Sequence, residues 1–355
     1  MKRPSLSLRR FRLSPHAHWL LLGLAALLPL LDLLLPRSLG LCVSMRPIFI
    51  LAIMGIALNI LIGYTGLLNL GMAAFMAIGV YAYAIATCDI YPFHLGFWAG
   101  CLVSIGVTGA AGFLLGLPAI RLRGDYLALV TLGFGEIVQD VLRNLEPITK
   151  GQQGINPLPG PSLFGCELGA DHLLGSYYLF LGVLILVVGL VRNLERSRLG
   201  RRWVAIREDE LASASLGIEP IKVKLSAFAI GAALCGLSGA LWASFLGSSG
   251  DPGNYDFQLS VTVLCMVVVG GMGSMGGVLL GALLMMGLNS IVIVKLSHWL
   301  ASTHGTGATN VLLVPDNWKF GIFGLALLLT MRFRPAGLLP SREVQAELSH
   351  GTAPH

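Results

Sequence analysis

Two carboxylates, Glu136 and Asp140, stand four residues apart in a largely apolar stretch, so one face of a helix would carry both. At 1.5 Å per residue, Glu136 lies about 15 Å into a helix that starts near Tyr126, close to the middle of a ~30 Å hydrocarbon core. A carboxylate at that depth is costly. It belongs either to a pathway that offers polar contact to a solute or to a bond with a neighbouring helix, with Thr131 or Gln139 as nearby partners. Asn69, in Gly63-Tyr-Thr-Gly-Leu-Leu-Asn-Leu-Gly71, is a second polar group in apolar surroundings, fit for solute contact or for interhelical hydrogen bonding. Catalysis has little support: the chain contains no HExxH, GxSxG or kinase-like set and no GxxxxGK[ST] phosphate loop. Work driven by ATP would therefore need an ATPase on another chain. The six cysteines include no CxxC pair, and His298, His304 and Asp316 lack the spacing of a metal site.

These residues sit in a chain built for lipid. Of its 355 residues 55% are hydrophobic and 12% charged, 45 are glycine, and the mean hydropathy is +0.77. Continuous apolar runs favour helices over a barrel. The sequence predicts an all-α integral membrane protein with about ten spans, at 17–35, 47–63, 66–87, 95–118, 126–142, 175–192, 222–247, 257–271, 276–294 and 318–331. The first follows a basic start (Lys2, Arg3, Arg9, Arg10, Arg12) and has no cleavage-like site, which reads as a retained helix. With both termini in the cytoplasm, 18 of the 24 Lys and Arg fall on the inner side. The net charge of +6 thus belongs to loops beside spans, and nucleic acid is not an expected partner.

One long segment breaks this pattern. Residues 193–221 are strongly charged and flanked by apolar sequence: Arg196, Arg198, Arg201, Arg202 and Arg207 lead into Glu208, Asp209 and Glu210. A short run of helix formers follows, Leu211 to Leu216, which Gly217 is placed to stop. Such a segment suits either a soluble motor that pushes on a membrane domain or a loop that sets topology. Two further breaks are rich in glycine. The first, 63–71, reads as a tight turn into the third span. The second, Gly270-Gly271-Met-Gly273-Ser-Met-Gly276-Gly277, continues to Gly281 as a GxxxG and reads as close helix packing or as a discontinuous helix. The segment 143–174, dense in Pro and Gly, predicts a surface loop or a partly re-entrant segment packed in protein. No domain boundary stands out over 1–355.

Four ordered stretches carry a resemblance: Gly-Tyr-Thr-Gly-Leu-Leu-Asn-Leu-Gly (63–71), Gly-Asp-Tyr-Leu-Ala-Leu-Val-Thr-Leu-Gly-Phe-Gly-Glu-Ile (124–137), Ala-Ile-Arg-Glu-Asp-Glu (205–210) and Lys-Leu-Ser-Ala-Phe-Ala-Ile-Gly-Ala-Ala (224–233). The glycine run 270–274 and the tail Arg334-Pro-Ala-Gly-Leu-Leu339 add to it. Over about spans 2 to 10 the chain resembles permease subunits of ABC importers for branched-chain amino acids. The resemblance implies a multi-pass protein of the bacterial inner membrane that works by alternating access. Its partners would be a second permease chain, two cytoplasmic ATPase subunits that carry ATP and Mg, and a periplasmic substrate-binding protein. No cofactor is expected on this chain. Ala205, Ile206, Arg207, Glu208, Asp209, Glu210 and Gly217 would form the coupling segment, and Glu136, Thr131 and Asn69 would face the pathway. Two departures bear on the substrate: Asn69-Leu-Gly-Met72 stands where relatives often have Ser-Leu-Gly-His, and Thr149-Lys-Gly-Gln-Gln-Gly-Ile155 where they often have a TGGPNGI-like run. Related permeases for urea and short amides share much of the pattern. An ion-coupled secondary transporter is the rival from another class, but it predicts an inverted repeat, and none is convincing.

Overall fold

The computed structural model describes residues 17–34, 41–119, 125–163, 166–168, 173–289, 318–334 and 336–339. The basic start, Arg121, Arg123, the residues His298, His304 and Asp316, and the end of the ninth expected span lie outside them.

All ten expected spans contain helix. They are α1 (Ala17–Leu34), α2 (Leu41–Asn59, running on as π-helix Ile60–Tyr64), α3 (Met72–Thr87), α4 (Phe97–Ala119), α5 (Asp125–Asn144), α7 (Leu173–Arg196), α10 (Pro220–Leu246), α11 (Phe257–Gly270), α12 (Met275–Gly287) and α13 (Lys319–Phe333). Three shorter α-helices also occur among the described residues: α6 (Glu146–Thr149), α8 (Arg198–Glu208) and α9 (Glu210–Ser215). Among the described residues, five segments are long and apolar enough to cross a membrane: Cys42–Tyr64, Phe97–Pro118, Leu173–Arg196, Pro220–Leu246 and Pro252–Gly270. The first is the most enclosed, with 89% of its apolar stretch buried, so α2 is the central helix.

Lipid tails offer no hydrophobic drive between helices, so close packing must hold them together. Small residues supply it where α10 crosses α3 and α4. A Cβ on Gly79 would fall 2.6 Å from the Gly236 Cα, and one on Gly239 would fall 2.4 Å from the Met76 carbonyl oxygen. One on Gly112 would meet Ala232 and the Phe228 backbone. The Ser104 hydroxyl lies 2.8 Å from the Gly79 oxygen and 2.7 Å from that of Gly236, and so ties the three helices together. Helices α11 and α12 form an antiparallel hairpin. Gly270 opposes Gly277, and Gly281 sits against the Met266 carbonyl.

After α6 the chain packs on protein at Ile155 and Leu158, both buried. Ile155 N–H donates to Ser249 Oγ (2.7 Å) and Leu158 N–H to the Gly247 oxygen (2.9 Å). A two-residue hairpin pairs Ser162 with Glu167 and Leu163 with Cys166. Replacement of Gly236 by Leu should force the α3–α4–α10 seam apart. An overpacked core costs about 1–3 kcal/mol, and a lowered midpoint of thermal unfolding in detergent is the expected outcome.

Candidate functional site

The third expected span differs from its sequence reading in an informative way. Residues 66–71 are neither a tight turn nor helix; they form an irregular run, and α3 starts only at Met72. Met72 lies beside Cys235, near the midpoint of α10, where the Cys235 thiol approaches the Met72 oxygen at 3.2 Å. The span is thus a half-helix preceded by irregular backbone at the depth of its neighbours' middles. Gly63 and Gly66 make this possible: Gly66 has φ +69°, and a Cβ on Gly63 would collide with the Asn59 amide and the Gly273 nitrogen.

The start of α3 borders a shallow cleft lined by Leu70, Ala73, Leu132, Glu136, Phe257 and Ser260, among others. Protein groups already occupy the amides there. Leu70 N–H donates to Thr131 Oγ1 (3.0 Å), Gly71 N–H to Asn69 Oδ1 (2.8 Å) and Ala73 N–H to Ser260 Oγ (3.0 Å). Asp256, also in the cleft, caps α11 by accepting from Leu259 N–H (3.0 Å). Glu136 differs. It is exposed, and among the described residues neither a hydrogen bond nor an ion pair holds it. Its helical neighbour Asp140 lies 3.8 Å from Arg143, and Gln139 donates to the Pro252 oxygen at 3.1 Å. The cleft therefore presents one unpaired carboxylate between apolar walls. Thr131 and Asn69 stand behind that wall, both buried, and the Asn69 amide nitrogen has no partner among the described residues.

The charged segment is two helices rather than a loop. Ser197 ends α7 and caps α8, accepting from Leu199 and Gly200 N–H. The arginines 198, 201 and 202 point to solvent, while Trp203 and Ile206, three apart, are buried. The Trp203 indole N–H lies within reach of the Val223 oxygen (3.2 Å) and Ser226 Oγ (3.0 Å), which fastens α8 to α10. Asp209 caps α9 through Leu211 and Ala212 N–H, and Gly217 follows at φ +83°. Glu210 turns inward to the buried Lys224, 2.7 Å away. Ala205 is half-buried, and its carbonyl accepts from Ser213 Oγ at 2.8 Å. Glu208 remains exposed. What α9 offers to a partner is apolar: Leu211 is 77% and Leu216 83% exposed.

Residues 42–331 match a family model described as the branched-chain amino acid transport system / permease component. The chain belongs to that family. Among curated relatives it is 40% identical over 323 residues to the high-affinity branched-chain amino acid transport system permease protein LivM of Salmonella typhimurium, across 85% of this chain and 70% of that protein. It is 38% identical to the LivM of Escherichia coli over the same shares. It is also 29% identical to BraD of Pseudomonas aeruginosa, a permease protein of a like-named system, across 83% of this chain and 92% of that one. No solved structure matches the chain.

As a permease of this family the chain is a multi-pass membrane transport subunit. The charged segment and the irregular run that leads to Asn69 are in contact. Arg207 reaches from α8 to the Gly63 oxygen (2.6 Å), at the head of the irregular run that ends by the cleft. The second glycine break joins there too, since Gly273 N–H donates to Asn59 Oδ1 at 2.8 Å. Gly271 and Gly273 turn the α11–α12 connection with positive φ, and Gly276 is buried at the start of α12. The motif tail docks on the same break: Leu338 N–H donates to the Val269 oxygen and Leu339 N–H to that of Gly270. Sequence reasoning missed Leu211 and Leu216 as protruding groups, although two leucines in a charged, water-facing segment were a readable signal. It also missed the Glu210–Lys224 pair, whose 14-residue separation no helical period announces. Glu210→Ala should strand the buried lysine. Because Glu210 is 43% exposed on its side chain, the cost should be about 1–2 kcal/mol in detergent melts, below that of a fully buried pair. Glu210→Ala with Lys224→Met should recover most of it.

Proposed function

We propose that this chain forms the translocation pathway of an ATP-driven importer of branched-chain amino acids in the bacterial inner membrane. It crosses the bilayer about ten times with both ends inside, an orientation supported by the excess of Lys and Arg on that side. A second permease chain completes the pore against the exposed face of α5. A periplasmic binding protein delivers substrate, and two cytoplasmic ATPase subunits bind ATP and Mg. This chain carries no cofactor.

The cleft is the observation that carries the reading. A branched-chain amino acid has a greasy side chain and a zwitterionic head. Leu70, Leu132 and Phe257 offer apolar wall, and the unpaired Glu136 offers a carboxylate to the ammonium group. Irregular backbone at mid-depth is tolerated only where it is buried or lines a cavity, and the run 66–71 borders the cleft at Leu70. On the inner side, α8 and α9 meet an ATPase, and Leu211 and Leu216 insert into its groove. ATP closes the ATPase pair, the two helices move, and the cleft opens to the other side. Work passes only if those contacts differ between states.

Glu136→Gln should lower uptake of labelled leucine by roughly tenfold, the worth of one charge-assisted bond, with the complex still assembled. Unchanged uptake would make Glu136 a bystander. Leu211→Asp with Leu216→Asp should release the ATPase in co-purification. Substrate-stimulated ATP turnover at the wild-type rate in that variant would end the coupling assignment.

A further inference from the structure

The end of α2 is a helix C-terminus inside the protein, and its last carbonyls need donors. Leu61 O is served locally, by Thr65 Oγ1 at 2.7 Å and Leu67 N–H at 2.9 Å. Gly63 O is served from 144 residues away, by the guanidinium of Arg207 at 2.6 Å. A cation at a helix C-terminus is well placed against the dipole, and a residue of the following turn could have supplied it. The cation comes instead from the α8–α9 element. Its aliphatic stem lies under Gly66, where an added Cβ would sit 3.3 Å from Arg207 Cγ. Seven and eight residues beyond Gly63, the same run closes on Thr131 through Leu70 N–H and through the close approach of Gly71 to the Thr131 oxygen. One connected piece of backbone thus has the α8–α9 element at its head and the cleft at its tail.

We propose that Arg207 is a positioning residue that couples the two ends. Its guanidinium holds the run 63–71 in register with α8, so displacement of α8 is passed to Leu70 and the wall of the cleft. This deepens the reading of 205–217 as the motor contact and rests on it. Loss of the bond frees the run from the motor without touching the ATPase surface, which Leu211 and Leu216 provide.

The test uses the whole importer in liposomes, with its binding protein and leucine. Arg207→Met keeps the stem packed under Gly66 and removes the donor. Expected are an assembled complex, ATP turnover no longer raised by loaded binding protein, and leucine uptake down about tenfold, the factor for one charged hydrogen bond. Arg207→Lys restores a charged donor and should restore most of the uptake. Wild-type uptake by Arg207→Met overturns the proposal. Hydrogen exchange on the wild-type complex gives a reading that no variant's folding can spoil. On addition of a slowly hydrolysed ATP analogue, peptides covering 60–71 should change protection together with those covering 205–217. A change confined to 205–217 overturns the role of Arg207 alone; no change in either overturns the motor contact beneath it.

Discussion

Hydrocarbon supplies no hydrogen bonds, so every peptide group that leaves helical geometry inside a membrane protein must find its partner within the protein. Much of this architecture follows from that demand. The chain leaves the helix at 66–71 and again at 271–274, and distant residues answer both departures. Asn59 reaches Gly273, Thr131 reaches Leu70, Ser260 reaches Ala73, and the tail at 338–339 covers the end of α11. Each bond crosses between elements remote in sequence. The irregular backbone therefore ties the bundle together where it might have weakened it.

The two halves of the molecule are held by different means. Around α10 the contacts are between backbones, made through glycine and alanine, and permit little adjustment. Around α5 they are sparser. Leu129 and Ile137 are exposed by more than 60%, and Glu136 stands on the same open side. A rigid scaffold beside one loosely held helix is the arrangement expected where a bundle has to rearrange against a partner.

Helix positions were largely legible from hydropathy, because long apolar runs have few other stable forms in lipid. The charged segment was legible as a unit, and so was its second helix, where the helix formers from Leu211 stopped by Gly217 are α9; the first helix was not. The arginines dominate its composition, while the helix of α8 depends on Trp203 and Ile206, two apolar residues whose spacing shows only once the polar face is discounted. Glu136 stands out in the sequence because depth alone makes a carboxylate expensive. The half-helix was hidden, since Leu67, Leu68 and Leu70 look like any transmembrane turn. What interrupts them is tertiary: the collisions awaiting a side chain at Gly63 and the hydrogen bond offered by Thr131. Gly79 and Gly236 were equally silent, because each belongs to a seam with a helix more than a hundred residues away.

At 1.5 Å per residue, the 27 residues of α10 make a rod about 40 Å long, longer than a bilayer core is thick. One end is bolted to the charged helices through Lys224 and Trp203, and the other runs into Gly247 and Ser249, which hold the segment around Ile155 and Leu158. Between them lies the glycine crossing at Gly236, about 15 Å from one end and about 24 Å from the other. The rod is thus a strut clamped at three points, and its length sets the distance between the charged helices and the segment at Ile155.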